Sequence, residues 1–135
     1  MKGRSYMQAI IRYELVINEA LRSALMLDTP DEQIDEFIRF FGKHIGCDRI
    51  YIFEDNKKEH VTDNTYEWCR QGIESEIDYL QGVDMDIIDW WYKAFDQKEN
   101  VIIRDVETIK NEHVYTYNTL KIQNVKRLVV CPIRY

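Results

Sequence analysis

The sequence lacks the features of a protein that binds nucleic acid or a membrane. No stretch concentrates Lys and Arg, and the 135-residue chain has a formal net charge of −6. Surfaces that bind nucleic acid or anionic lipid need clustered positive charge. No uninterrupted apolar segment approaches the roughly 18–20 residues that a membrane span requires, and the first residues do not resemble a signal peptide. We therefore expect a cytoplasmic protein with no nucleic-acid partner and no direct membrane contact.

The sequence also lacks the common patterns of a metal or catalytic site. Its three cysteines lie far apart, which favours free thiols over a disulfide framework or a Cys-x-x-Cys metal pair. None of His44, His60 and His113 has a second ligand at His-x-x-x-His spacing. There is no Gly-rich phosphate loop and no nucleophile elbow. We therefore predict no catalytic residue, no metal ligand and no enzyme activity within this chain, and the residues identify no cofactor.

Tyrosine and tryptophan, by contrast, are abundant. The chain has nine Tyr and three Trp, within an otherwise ordinary globular composition of 45% hydrophobic and 31% charged residues. Such side chains have an apolar body and a polar tip, so they often line ligand pockets and interfaces. They also fill the space between a sheet and its helices. Both interpretations are open at this point.

The N-terminal segment 1–27 has a heptad-like pattern of apolar residues. Steps of four and three residues join Tyr6, Ile10, Tyr13, Ile17, Ala20, Ala24 and Leu27. This spacing predicts a long amphipathic helix. The helix could pack on a sheet of its own domain, or it could pair with the same helix of a second copy and form a homodimer. The two arrangements are compatible.

The rest of the chain alternates between helical and extended patterns. Thr29 and Glu32 form a capping box around Pro30, which predicts the start of a second helix, and Gly46 predicts its end. Extended patterns follow at 48–54, 61–70, 100–104 and 126–133, with helical patterns after Asp84 or Asp86 and after Asp105. Between the second and third strands lies a short helix or an ordered loop. This order predicts an α+β fold in which helices flank one central antiparallel sheet.

Five segments, in this order, resemble the GAF sensory domain. They are Asp48–Glu54, Asn64–Cys69, Asp89–Trp91, Val101–Val106 and Leu128–Ile133. The resemblance runs from about Thr29 to Ile133. It is strongest to the GAF domains that precede diguanylate cyclase (GGDEF) or histidine kinase modules in bacterial signalling proteins. The resemblance implies a profilin-like sheet with helical layers, a small-molecule pocket, dimerisation through terminal helices and control of an attached output domain.

The chain departs from the GAF pattern in two respects. A full GAF domain continues after the strand that matches Leu128–Ile133, so residues 28–135 are expected to form a GAF-like domain that lacks its last strands and closing helix. We expect a fragment of a longer protein or a truncated copy, whose sheet edge is open or covered by a second chain. The chain also lacks the Asn-Lys-x-x-x-Phe-x-x-x-Asp-Glu signature of cyclic-nucleotide-binding members and an evident bilin-attaching cysteine. The ligand is therefore not identified.

The resemblance places a set of mainly aromatic residues near a ligand pocket. The candidate ligand-binding residues are Tyr51, Phe53, Asn64, Tyr66, Trp68, Trp90, Trp91 and Tyr115. The alternative is that these rings only fill the core. The main hypothesis is a small-molecule-sensing regulatory domain that controls an attached diguanylate cyclase, which makes cyclic di-GMP; one alternative is the sensor domain of a histidine kinase. The other alternative is a GAF-like scaffold that binds no ligand and serves only for dimerisation or interaction.

Overall fold

The computed structural model describes the backbone of residues 2–134 and the side chains of residues 12–134. The described residues form four α-helices and two small antiparallel sheets, which confirms a mixed α+β fold. The chain divides into two compact units, one of residues 1–54 and 63–81, the other of residues 55–62 and 82–135. No helix in the described part of the chain has both the length and the apolar character needed to cross a membrane.

The helices and strands follow the predicted order, with one added short strand. The helices are α1 (Lys2–Leu25), α2 (Pro30–Ile45), α3 (Asp89–Asp96) and α4 (Val114–Ile122). The strands are β1 (Arg49–Asn56), β2 (Val61–Cys69), β3 (Val83–Asp84), β4 (Val101–Ile103) and β5 (Leu128–Val130). Short 3-10 turns occupy Ile77–Tyr79, Met85–Ile88 and Val106–Ile109.

The predicted single sheet is instead divided into two. β1, β2 and β3 form one sheet, and β4 pairs with β5 in a second. The last strand was predicted over 126–133, but β5 covers only three residues and ends before Cys131 and Pro132. Proline has no backbone N–H to donate to a ladder, which favours an early end to the strand. The pairing of β4 with β5 is correspondingly short, from Val101 opposite Val130 to Ile103 opposite Leu128.

Local capping signals define α2, as the sequence predicts. The Thr29 side chain accepts a hydrogen bond from the backbone N–H of Glu32, and the Glu32 carboxylate accepts one from the backbone N–H of Thr29, both at 3.2 Å. Pro30 occupies the first turn, where its missing N–H is not needed. Gly46 ends the helix with φ at 74°, a conformation that favours glycine.

α1 packs on α2 through small side chains. Ala20 and Ala24, which belong to the predicted seam, are 0% and 4% exposed. Near them, the Ser23 hydroxyl donates to Glu36 of α2 at 2.5 Å. Arg39 also donates to Glu36, and these hydrogen bonds lower the pKa of Glu36 to about 2. The predicted seam residues Tyr6 and Ile10, with the rest of residues 1–11, lie outside the side chains that the structure describes.

The second unit has its own apolar core. It consists of the buried residues Val101, Ile103, Val106, Tyr117 and Leu120. β4 shows the alternation of a strand with one buried face, because Val101 and Ile103 are buried whereas Ile102 is exposed. The predicted helix after Asp105 is interrupted: a 3-10 turn comes first, and α4 begins separately at Val114. This core holds the starts of α3 and α4 in place.

Candidate functional site

The candidate residues of β1 and β2 lie on two opposite faces of the hairpin. A β carbon built on Gly42 of α2 would lie 2.4 Å from Cε3 of Trp68 and 3.0 Å from Cδ1 of Ile50, so these two side chains face α2. Because side chains alternate along a strand, Tyr51 and Phe53 point to the other face. Their rings meet edge to face, with centroids 5.8 Å apart. Tyr51 and Phe53 therefore do not share a pocket with Trp68.

Asn64 and Tyr66 share the α2 face with Trp68 but differ in their partners. The Tyr66 hydroxyl donates to the Asp31 carboxylate at the start of α2, and this hydrogen bond raises the pKa of Tyr66 to about 12. Asn64 is only 1% exposed. Its backbone is paired with Leu80 and Gln81. Its side-chain oxygen and nitrogen, however, have no hydrogen-bond partner among the described residues. This buried amide is unusual, because buried polar groups are nearly always paired.

The three other candidates belong to the second unit, and two of them line a cavity. This cavity has a volume of about 320 Å³ and lies between the start of α3 and the start of α4. Trp90 contributes to its wall, and Tyr115, with 72% of its surface exposed, lies at its rim. Trp91 does not line this cavity, although both Trp90 and Trp91 pack against the apolar core of the unit. The indole nitrogen of Trp91 is buried and has no hydrogen-bond partner among the described residues.

Hydrogen bonding and stacking fix the orientation of Trp90. Its indole N–H donates to the Thr116 hydroxyl at 2.9 Å, and that hydroxyl donates to the carbonyl oxygen of Ile87 at 2.5 Å. Thr116 is 1% exposed, so this chain of hydrogen bonds is shielded from water. The ring of His113 stacks on Trp90, with centroids 4.0 Å apart and planes 10° apart. The aromatic wall is therefore built before any ligand arrives.

The cavity is lined by more negative than positive charge. Its carboxylates belong to Asp86, Asp89 and Glu112, and its ammonium group belongs to Lys93. Lys93 pairs with Asp89 at 2.8 Å, a contact that raises the pKa of the lysine. Asp86 contacts His60 at 2.8 Å. Glu112 forms no ion pair with any residue that the structure describes.

His60 also belongs to a group of side chains that could hold a metal ion. Its ligating atoms and those of Asp84 and Asp86 lie within 4.8 Å of one another, and all three residues are exposed. The hydrogen bond to Asp86 raises the pKa of His60, and the charges of Asp84 and Asp89 add to this effect. Asp84 also caps the following turn by accepting from the backbone N–H of Asp86 at 2.9 Å. An ordinary ion pair and a helix cap therefore account for this geometry without a metal.

Motifs of closely spaced residues in the sequence could not have identified the group of His60, Asp84 and Asp86. His60 and Asp86 are 26 residues apart and meet because β2 pairs with β3, with Val61 opposite Asp84. The backbone N–H of Met85 also donates to the carbonyl oxygen of His60. The same limit applies to Lys93, Glu112 and Thr116 in the cavity. They have no distinctive local motif, and the packing of α3 and α4 brings them together.

Comparison with known proteins gives no family assignment. The chain matches no known protein-family profile, and a search of curated proteins finds no match. The class that the structure itself defines is a mixed α+β protein with an aromatic, acidic cavity in its second unit.

Proposed function

We propose that the chain is a small-molecule-sensing regulatory domain of the GAF type, and that its ligand binds in the cavity between α3 and α4. One observation carries this proposal: two of the predicted ligand-binding residues, Trp90 and Tyr115, line that cavity. In the parent protein the domain would control an attached output domain. The resemblance favours a diguanylate cyclase, or else a histidine kinase.

The construction of the cavity supports binding of a small ligand. Its volume of about 320 Å³ lies at the lower end of the roughly 300–1,000 Å³ that is typical of ligand pockets. Trp90 is already oriented through Thr116, so binding would not require the indole to be ordered first. A ligand that contacts both helix starts would favour the arrangement of α3 and α4 to which it binds best, which is how a ligand shifts a conformational equilibrium.

A fragment screen followed by NMR tests this function. Fragments that bind in the cavity should shift the indole N–H signal of Trp90 but not that of Trp68, which belongs to the other unit. The Tyr115→Ala variant should weaken binding by about tenfold, the effect of losing one aromatic contact worth on the order of 1 kcal/mol. Tyr79→Ala is the matched control, because Tyr79 is 81% exposed and lies outside the cavity. A screen in which no fragment shifts Trp90 would reject the proposal.

A second candidate function, the dimerisation scaffold, is favoured by an apolar ridge on α1. The ridge consists of Tyr13, Ile17, Leu21 and Leu25, which follow one another at four-residue intervals and are 52%, 39%, 45% and 70% exposed. Residues at this spacing lie along one side of a helix. The ridge lies beside the Ala20 and Ala24 contact with α2. In this second proposal the ridge packs against the same ridge of a second copy.

Sedimentation velocity tests whether the ridge of α1 forms a dimer. If the ridge forms a dimer, the Ile17→Glu/Leu21→Glu variant should sediment as a monomer at concentrations at which the wild type is dimeric, because each new carboxylate would be buried without a partner. The matched control is Arg12→Glu, which changes the charge by the same two units on the opposite, exposed side of the same helix. A monomeric wild type, or a ridge variant that stays dimeric, would exclude the ridge as an interface.

A further inference from the structure

We propose that the ligand of the cavity between α3 and α4 is a small organic cation of the ammonium class. This inference rests on the proposed function and adds the charge and chemical type of the ligand. Three features of the cavity support it: the balance of charge, the presence of aromatic rings, and the absence of a metal-binding cluster among its three carboxylates.

The balance of charge favours a positively charged ligand over an anion. Three carboxylates and one ammonium group line the cavity, and Lys93 is already paired with Asp89. To pair with Lys93, an anion would have to displace Asp89. The carboxylates of Asp86 and Glu112 would also repel it. Asp86 is paired with His60 as well. Glu112 has no such partner among the described residues, so it is the carboxylate that can pair with a cation without breaking an existing contact.

The aromatic rings favour an organic cation. Indole is the side chain that attracts a cation most strongly through its π system, and phenol does so as well. His113 covers one face of the Trp90 indole, so an alkylammonium group would contact Tyr115 and the part of the Trp90 ring that lines the cavity. The Thr116 hydroxyl is already used between Trp90 and Ile87, so it is not free to direct a neutral polar ligand.

The cavity carboxylates do not form a metal-binding cluster of their own among the described residues. A divalent metal needs several ligand atoms that converge on one point. Among the described residues, the group whose ligand atoms come within 4.8 Å of one another consists of His60, Asp84 and Asp86. Asp86 of this group also lines the cavity, but Asp89 and Glu112 do not belong to the group. Carboxylates that do not converge on one metal ion suit a larger cation, whose charge is spread over several carbon atoms.

Titration with choline and with its neutral isostere tests this inference. Choline carries a trimethylammonium group, and 3,3-dimethyl-1-butanol has the same shape without the charge. We expect choline to shift the Trp90 indole signal and to bind at least about tenfold more tightly than the alcohol. Glu112→Gln should weaken choline binding by about tenfold, whereas Glu99→Gln, a change outside the cavity, should leave it unchanged.

The outcomes separate this inference from the proposed function. Equal binding of choline and the alcohol, tighter binding of the anion 3,3-dimethylbutanoate, or unchanged choline binding by Glu112→Gln would each overturn the inference. In these cases a ligand still occupies the cavity, so the proposed function stands. If no probe and no screened fragment of any charge shifts the Trp90 signal, the proposed function fails, and the inference fails with it.

Discussion

Replacement of Gly42 by alanine is expected to lower the free energy of unfolding by about 1–2 kcal/mol. The added β carbon would lie 2.4 Å from Cε3 and 2.5 Å from Cζ3 of Trp68, well inside van der Waals contact. Overpacking of this kind typically destabilises by about 1–3 kcal/mol. Alanine is the better helix former by about 0.5–1 kcal/mol, which offsets part of the loss. The steric term is the larger one, because Trp68 is a rigid ring held between β2 and α2.

A double-mutant cycle measured by urea denaturation identifies the cause. In a Trp68→Leu background the overlapping ring atoms are absent, so Gly42→Ala should be neutral or should stabilise by about 0.5 kcal/mol. Gly46→Ala is the matched control. Gly46 has φ at 74° and no atom within 4 Å of its would-be β carbon, so alanine there is strained by the backbone alone. Trp68→Leu should not relieve that strain. If Gly42→Ala has the same effect in both backgrounds, Trp68 does not occupy the space above Gly42.

The contact between Gly42 and Trp68 separates what local sequence patterns predict from what they do not predict. Alternation along β2 correctly placed Trp68 on the same face as Asn64 and Tyr66, and the capping box and Gly46 correctly placed the ends of α2. These signals depend on residues within a few positions of one another. The position of Gly42 beneath Trp68 depends on how a helix docks on a hairpin, and no periodicity in the sequence specifies that docking.

The cavity shows the same limit in the second unit. The resemblance to GAF domains pointed to Trp90 and Tyr115 as ligand-binding residues, but also to Trp91, which does not line the cavity. The sequence does not distinguish a tryptophan that lines the cavity from its neighbour that does not. What distinguishes them is Thr116, whose hydroxyl anchors Trp90 across 26 positions. The division of the strands into two sheets was equally hidden, because β3 has only two residues and too little pattern to detect.

Replacement of Asn64 by valine is expected to raise the free energy of unfolding by about 1–3 kcal/mol. Both polar atoms of the Asn64 side chain are buried without a partner among the described residues. Water solvates these atoms in the unfolded chain, and burying a polar group without a hydrogen bond costs about 1–3 kcal/mol. Valine has no polar side-chain atoms, so it avoids this desolvation cost. It also suits a strand, since β-branched residues favour extended backbone. Urea denaturation of the wild type and the variant measures the difference.

The Asn64→Asp variant provides the control, because aspartate has nearly the shape of asparagine. A carboxylate at this buried position should lower the stability at neutral pH by about 2 kcal/mol or more, since its charge is desolvated without a counter-ion. If Asn64→Val raises the free energy of unfolding and Asn64→Asp lowers it, desolvation of the side chain determines the stability effect at residue 64. A loss of stability in Asn64→Val would show instead that the amide has a partner, such as an ordered water, which valine cannot replace.

The Asn64→Val variant also tests the prediction that Asn64 binds a ligand. Functional sites commonly contain residues that lower the stability of the fold, and an unpaired buried amide is such a residue. If Asn64→Val is more stable than the wild type but no longer binds fragments that the wild type binds, Asn64 takes part in recognition. If it is more stable and binds the cavity probes as the wild type does, ligand binding in the second unit does not depend on Asn64. The predicted binding residues would then separate into those of the cavity, Trp90 and Tyr115, and those that only pack within their own unit, which include Trp91 of the second unit.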